Sequence, residues 1–348
     1  MWWNKKEPKK VFVALSGGVD SSVSATLLQK QGYEVTGVYI KGWYPDWKEC
    51  SWKESRRDAM RVCAGLNIPF QTLDLSKEYK KEVVDYFLEE YQKGRTPNPD
   101  VMCNKHIKFG KFYDYAFSEG ADFVATGHYA QIQNGKLLRG QDKNKDQSYF
   151  LWTLKKEQLS KILFPVGGML KTKVRSLARK YNLVTKAKKD SQGICFLEDV
   201  SMEDFLKHYF PAKPGDVLDE NYQRIGFHDG AILYTIGQRH GFRTANRMVE
   251  EKPYFVIAKD LDKNTITVSR ERAWVKKGQR FSLESTNWLQ KLKDGEVYEA
   301  QARYRQAPFG CNFVNKKVVL EQPAELPVSG QSLVIYDKDV CLGGGVIN

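Results

Sequence analysis

Val11-Phe12-Val13-Ala14-Leu15, followed at once by Ser16-Gly17-Gly18-Val19-Asp20-Ser21-Ser22, is the stretch whose reading decides the fold. Five apolar residues in a row read as a strand buried on both faces, the habit of a parallel sheet covered by helices. The two glycines permit a tight turn and close backbone approach. Beyond them Val19, Val23, Leu27 and Leu28 recur at helical spacing, so the turn lies between a strand and a helix N-terminus. There the unpaired N–H groups, the positive end of the helix dipole and the serine hydroxyls can cradle an anion. The carboxyl end of a parallel strand is where such sheets bind ligands. The loop is neither a Walker A motif, since no Gly-Lys-Ser/Thr follows, nor G-x-G-x-x-G. The plainer alternative is a turn with a serine cap.

Strand and helix patterns alternate onward from this loop. Val35 to Ile40, Phe70 to Leu73 and Asp122 to Thr126 read as strands. Helical spacing recurs over Lys53 to Ala64, through Val83, Val84, Phe87, Leu88 and Tyr91, and through Phe109, Phe112, Tyr113, Ala116 and Phe117. This repetition predicts an α/β fold with a doubly wound parallel sheet. After about residue 200 the character changes. Tyr254 to Ala258 and Ile266 to Val268 read as a hairpin, Val297 to Arg305 alternates like a strand, and Leu333 to Tyr336 pairs with Val340 to Leu342 across Asp337-Lys338-Asp339. We therefore expect a nucleotide-binding domain over 1–200, a small central α+β domain over 201–275 and a C-terminal β-barrel over 276–348. The Gly343-Gly344-Gly345 run is expected as a turn or bulge, and the tryptophan-rich stretch from Trp43 to Trp52 as a cover over the nucleotide site.

The chain has 348 residues, enough for two or three domains at roughly 150 residues each. Lys and Arg exceed Asp and Glu by 13, which favours a polyanionic partner. No run approaches about 18 uninterrupted apolar residues, so no membrane partner and a cytoplasmic setting are expected. Six cysteines without a C-x-x-C pair, and five histidines, argue against a disulfide framework or a zinc site, and no resident metal is expected.

Two cysteines stand in unusual surroundings. Gly94-Arg95-Thr96-Pro97-Asn98-Pro99-Asp100-Val101-Met102-Cys103-Asn104-Lys105 places two prolines in a stiff loop and Cys103 at or just before the next helix, where the dipole favours thiolate. Asp100 lies close enough to exchange protons in the same pocket. Asp190-Ser191-Gln192-Gly193-Ile194-Cys195-Phe196 sets Cys195 beyond a polar, glycine-containing turn. Cys50, Cys63, Cys311 and Cys341 fall in no reactive pattern and read as structural. The basic run Lys171, Lys173, Arg175, Arg179, Lys180, Lys186, Lys188, Lys189 suits a polyanion, and the family resemblance described next implies that it touches RNA backbone.

The loop at 16–22 resembles that of the PP-loop ATP pyrophosphatases. With G-R-T-P-N-P-D-V-M-C-N-K, A-T-G-H-Y-A, K-D-Q-S-Y-F-L, D-S-Q-G-I-C-F, Y-T-I-G-Q-R-H-G and A-R-Y-R-Q-A-P in order up to residue 308, the chain resembles the MnmA family of tRNA-specific 2-thiouridylases. One departure is His106, where many relatives are acidic. The resemblance implies that Ala14, Leu15, Ser16, Gly17, Gly18, Val19, Asp20 and Ser21, with Ile40 and Gly127, hold ATP with its Mg²⁺. It implies adenylation of the C2 oxygen of the wobble uridine in the tRNA anticodon. Cys195 would carry a persulfide delivered by a cysteine desulfurase or relay protein. Cys103 would either release that sulfur as sulfide or close a transient Cys103–Cys195 disulfide after transfer, and Asp100 would be acid/base. Asn98, Pro99 and Asp100, Lys145, Asp146 and Gln147, and Arg303 and Tyr304 match segments that contact tRNA. Two other readings stay open: a PP-loop ligase adenylating a small carboxylate or amide acceptor, which has no need of two cysteines, and a non-catalytic RNA-binding protein of the same fold.

Overall fold

In the computed structural model, which describes residues 7–47, 52–190, 200–244 and 252–348, the apolar run at 11–15 lies at the centre of a parallel sheet. Its strands are β1 (Lys10–Ala14), β2 (Glu34–Lys41), β3 (Phe70–Asp74) and β4 (Phe123–Ala125). A hairpin, β5 (Ala130–Gln133) and β6 (Lys136–Arg139), leaves the sheet before β7 (Ile162–Leu163) completes the order β3-β2-β1-β4-β7. The order reverses between β1 and β4, so the crevice beyond their carboxyl ends is the topological switch point.

Both faces are covered. Val11, Val13, Val35 and Tyr39 pack beneath α1 (Val19–Lys30) and α2 (Trp52–Leu66). Phe12, Val38 and Val124 face the helical runs of α3 (Ser76–Tyr79), α4 (Tyr86–Gln92), α5 (Pro99–Met102) and α6 (Phe112–Ser118). Further on, α7 (Lys171–Lys180) packs beside α1.

The central unit opens with α8 (Met202–Tyr209), capped by Ser201 accepting from the Asp204 N–H at 3.0 Å. Its sheet contains β8 (Gly215–Leu218), β9 (Arg224–His228), β10 (Arg243–Thr244), β11 (Phe255–Asp260) and β12 (Thr265–Ser269). The expected hairpin is the antiparallel β11–β12 pair. Trp43 meets Phe205 of α8 edge-on at 6.4 Å, and Trp47 stacks on His208 at 4.4 Å. The described tryptophans 43 and 47 thus pack the central unit against the first one, while residues 48–51 of the stretch expected as a cover lie outside the described residues.

The C-terminal strands are β13 (Trp274–Val275), β14 (Arg280–Phe281), β15 (Leu283–Trp288), β16 (Tyr298–Gln301), β17 (Phe309–Val314), β18 (Lys317–Leu320), β19 (Ala324–Glu325), β20 (Ser332–Asp337) and β21 (Val340–Ile347). The main sheet also takes in β6 and β5: Leu138 pairs with Val340, and the Arg139 N–H donates to the Asp339 carbonyl at 2.8 Å. A hairpin from the first unit therefore completes the C-terminal sheet.

One strand expectation needs correction, and another is narrowed. The strand expected over 297–305 ends at Gln301, because the chain turns through Arg305 at φ +63°. The glycines at 343–345 lie inside β21, where of the two expected forms the bulge is present and the turn is not. They flank a register irregularity at Ile335–Tyr336, and a Cβ at Gly343 would stand 2.2 Å from the Asn287 carbonyl oxygen.

Candidate active site

Gly18 occupies the N-cap of α1 without a side-chain cap, so the serine-capped turn is not what forms. The Ser22 hydroxyl instead donates to the Gly18 carbonyl at 2.6 Å, which leaves the first-turn N–H groups facing the crevice. Gly17 sits at φ +74°, where a Cβ would lie 2.3 Å from the Ser55 carbonyl oxygen. Gly127, just past β4, would place a Cβ 2.7 Å from the Ser21 nitrogen. It is the spacer that lets β4 and the α1 N-terminus close on each other. Ala14 and Ile40 lie half-buried at the ends of β1 and β2.

Around this loop stands a charged cluster. Lys171 Nζ lies 2.7 and 2.8 Å from the two oxygens of Asp20 and 3.0 Å from Asp190 Oδ1. The Tyr129 hydroxyl donates to Asp20 Oδ1 at 2.8 Å, Lys145 pairs with Asp190 at 2.7 Å, and Arg175 pairs with Asp190 as well. Burial would raise the Asp190 carboxyl, but hydrogen bonds from Lys145 and Lys171 outweigh it and hold the group well below the usual carboxylate range. Burial and the neighbouring Asp20 charge keep the Tyr129 phenol protonated. This corrects part of the basic-run expectation. Lys171, Arg175 and Lys188 turn inward to Asp20, Asp190 and Asp58, while Lys173, Arg179, Lys180, Lys186 and Lys189 remain exposed.

The first cysteine loop is built differently from the expectation. Asn98 caps the helix, accepting from the Val101 N–H at 3.3 Å, and Pro99 takes the first helical position, where its fixed φ suits the turn. The helix therefore begins four residues before Cys103. Asp100, not Cys103, sits in the first turn, and Cys103 follows one turn deeper at 3% exposure. Residues three apart share a helix face, so Asp100 and Cys103 face the same side. His106 lies 3.6 Å from Glu82, and burial, reinforced by Lys105, lowers its pKa. Cys195 and the 191–199 segment lie outside the described residues, as does Cys50. Asp190, where the chain enters that segment, is anchored beside the PP-loop by the cluster just described. Burial pushes the thiols of Cys63, Cys311 and Cys341 up to about 12.

Two of the three segments expected at RNA meet at one side chain. The Tyr149 hydroxyl lies 2.9 Å from the Ser332 carbonyl and 3.2 Å from the Ala302 carbonyl, and it hydrogen-bonds the Asn98 side chain. Tyr304 packs on Phe150 at 4.6 Å, and Arg303 pairs with Glu325 at 2.9 Å while donating to the Ile236 carbonyl at 3.1 Å. Asp146 is satisfied within the protein by the Gly140 and Ser148 N–H groups, the Ser148 hydroxyl and Arg139. Gln147 accepts from the Tyr129 N–H at 3.0 Å, which links this region to Asp20.

The barrel also braces the cysteine loop. The Thr96 N–H donates to the Ser329 carbonyl and Gln331 Nε2 to the Thr96 carbonyl, both at 2.9 Å, while Arg95 pairs with Glu90 and Glu284. Gly330, at φ +88°, would carry a Cβ 2.8 Å from the Thr96 nitrogen. Gly330→Ala is therefore expected to displace the loop and lower the rate constant for the overall reaction by about ten- to a hundredfold, leaving ATP affinity unchanged. Steady-state kinetics with a separate nucleotide-binding measurement check this.

A parallel sheet whose switch point carries a Ser-Gly-Gly loop at a helix N-terminus defines an α/β nucleotide-binding protein of PP-loop type. Family descriptions match in series: a tRNA methyl transferase HUP domain over 9–199, a tRNA methyl transferase PRC-barrel domain over 203–270 and an aminomethyltransferase β-barrel domain over 278–347. The tRNA-specific 2-thiouridylase MnmA of Francisella tularensis subsp. holarctica is 44% identical over 98% of this chain and 99% of its own. That of subsp. novicida matches to the same extent. The chain belongs to the MnmA family of tRNA-specific 2-thiouridylases. Among solved structures it is similar to a 4-thiouridine synthetase–RNA complex with bound ATP, at 22% identity and TM-score 0.39, covering 55% of this chain and 46% of that one. It is also similar to the U34-tRNA thiolase NcsA of Methanococcus maripaludis, at 22% identity and TM-score 0.37, covering 59% and 69%.

The residues that sequence reading missed are Lys171, Asp190, Arg175 and Tyr129. Tyr129 and Asp190 lie inside quoted motifs. The signal for Lys171 was its sign, since a lysine in the first turn of a helix opposes the dipole.

Proposed function

We propose that this protein is an ATP-dependent tRNA-uridine 2-sulfurtransferase acting on the wobble uridine. Supporting this reading, Asn98, on the helix start that carries Cys103, and the 302–304 turn meet at Tyr149, two residues beyond Gln147. A flipped base can be stacked and read by polar groups there, with exposed lysines taking the RNA backbone.

The α1 N-terminus and the Ala14–Ser21 backbone would hold the phosphates, with Ile40 and Gly127 flanking the adenosine. Magnesium travelling with a nucleotide draws most ligands from phosphate and water and needs only one or two carboxylates. Among the described residues no cluster of three His, Cys, Asp or Glu exists, and Asp20 is the carboxylate placed to hold such an ion, which would neutralise phosphate charge. The uracil O2 attacks the α-phosphorus, pyrophosphate leaves with the electron pair of the broken bond, and the N3 proton passes to Asp100. The terminal sulfur of the Cys195 persulfide attacks C2, and AMP departs with the electron pair of the C2–O bond. Cys103 then attacks the Cys195 sulfur, the S–S bond to the transferred sulfur breaks, and its electron pair stays on the base as 2-thiouridine. This closes a disulfide between Cys103 and Cys195, which an external thiol reduces again. No helix among the described residues is long and apolar enough to cross a membrane.

Incubation of the purified protein with ATP, inorganic sulfide and unmodified tRNA, followed by nucleoside analysis, is expected to yield 2-thiouridine with one AMP and one pyrophosphate per base. AMP formation on small carboxylic acids without RNA would overturn the reading.

A further inference from the structure

Lys171 carries the wrong charge for its place. It opens α7, where unpaired N–H groups and the positive dipole end favour carboxylates. Its ammonium reaches to a second helix N-terminus, that of α1, and binds both oxygens of Asp20. With a side chain 12% exposed, it stands between the PP-loop and Asp190, and its own N–H is taken by Asp142 at 2.9 Å. A half-buried ion pair is a weak source of stability, since desolvation offsets most of the attraction. Stability alone therefore does not account for a cation facing two helix N-termini.

Chemistry at the loop does account for it. Residues 16–22 contain no lysine or arginine, so the loop offers a polyphosphate only neutral N–H and hydroxyl donors. A pyrophosphate leaving group gains negative charge as its bond to the α-phosphorus breaks, and a positioned cation stabilises that charge. Lysine is a compact charge on a flexible four-carbon stem, able to change partners. Its present partners do not depend on it. Asp20 retains the Tyr129 hydroxyl at 2.8 Å, and Asp190 retains Lys145 at 2.7 Å together with Arg175. The ammonium can leave without orphaning either carboxylate.

We infer that Lys171 is a catalytic residue of the adenylation step, turning from Asp20 to non-bridging oxygens of the pyrophosphate portion of ATP. The bond between the acceptor oxygen and the α-phosphorus forms as the α–β bridging P–O bond breaks, and the electron pair stays on pyrophosphate. Lys171 donates hydrogen bonds and charge and gives up no proton. The inference rests on the ATP-cleaving reading of the site, but not on the identity of the acceptor.

The test uses the full chain and inorganic pyrophosphate as probe, titrated calorimetrically, with AMP as a parallel ligand. Lys171→Met is expected to weaken pyrophosphate binding at least about tenfold, to leave AMP affinity unchanged, and to slow AMP formation on the order of a hundredfold. Lys171→Arg, which keeps the charge, is expected to recover part of the pyrophosphate affinity. Unchanged pyrophosphate affinity in Lys171→Met overturns the inference, and so does an equal loss of AMP affinity, which would mean that the loop had collapsed. Pyrophosphate binding by a wild type that makes no 2-thiouridine would sink the thiolation reading and leave Lys171 standing. A wild type that binds no pyrophosphate sinks both.

Discussion

Replacing Cys103 by serine, with sulfur delivered as a protein-bound persulfide, is expected to cut 2-thiouridine formation on the order of a thousandfold or more. Serine is nearly isosteric with cysteine, and the site is already polar on one side: Asp100 shares the helix face, and Asn104 Nδ2 donates to the Asp100 carbonyl at 3.0 Å. The helix start depends on Asn98 and Pro99, not on the thiol, so the fold and tRNA affinity should hold. A hydroxyl cannot attack a persulfide sulfur or close a disulfide, so turnover stops after at most one sulfur. Cys195→Ser should fail equally under the same donor, because no persulfide forms on it. Excess inorganic sulfide separates these defects from a failure of adenylation. Sulfide attacks the adenylated base directly, so both variants should regain slow thiolation if ATP activation is intact. Nucleoside analysis by mass spectrometry, with tRNA binding and thermal unfolding as controls, reads the outcome. Wild-type rates in either variant with the persulfide donor would remove the cysteine relay.

What the chain revealed before folding, and what it did not, divides by the range of the interactions involved. The central strand at 11–15 and its loop were readable because burial on both faces forces an unbroken apolar run and the following turn demands glycine. The β11–β12 hairpin was readable for the same local reason. Strand alternation over 297–305 misled because the chain turns away after Gln301, which is buried and accepts from Arg139 at 3.2 Å, across 162 residues of sequence. The hairpin β5–β6 gave no sign of belonging to the C-terminal sheet, since the Val340 that pairs with Leu138 lies 202 residues on. Asp100 and Cys103 stood out by their surroundings, yet the helix start was misplaced, because Pro99 was read as loop when it serves as the first helical residue. Lys171 was seen only as part of a basic run. Nothing local shows that its partner is Asp20, 151 positions earlier.

A single methyl group at Gly17 should remove ATP use while leaving the RNA-facing surface untouched. At φ +74° an alanine pays roughly 1–2 kcal/mol for the left-handed conformation. The larger effect is steric. The new Cβ would stand 2.3 Å from the Ser55 carbonyl oxygen, 3.0 Å from its carbon and 3.2 Å from its Cα, all backbone atoms of α2, which cannot swing away as a side chain could. Either α2 shifts off the sheet or the loop lifts away from it. The loop is the softer element, because α2 buries Ala59, Val62 and Cys63. Lifting it redirects the N–H groups that should meet the phosphates, and hydrogen-bond attraction falls steeply with misalignment. Gly17→Ala is therefore expected to lower ATP-dependent AMP formation about a hundredfold or more. Affinity for unmodified tRNA, measured by filter binding, should stay within about twofold, because the segments gathered around Tyr149 belong to other elements. Gly32, at φ +87° with nothing within 4 Å of its Cβ position, supplies the control: Gly32→Ala carries the same backbone strain without the clash. If Gly32→Ala and Gly17→Ala impair AMP formation alike, strain and not loop placement is responsible, and the role assigned to the loop geometry fails.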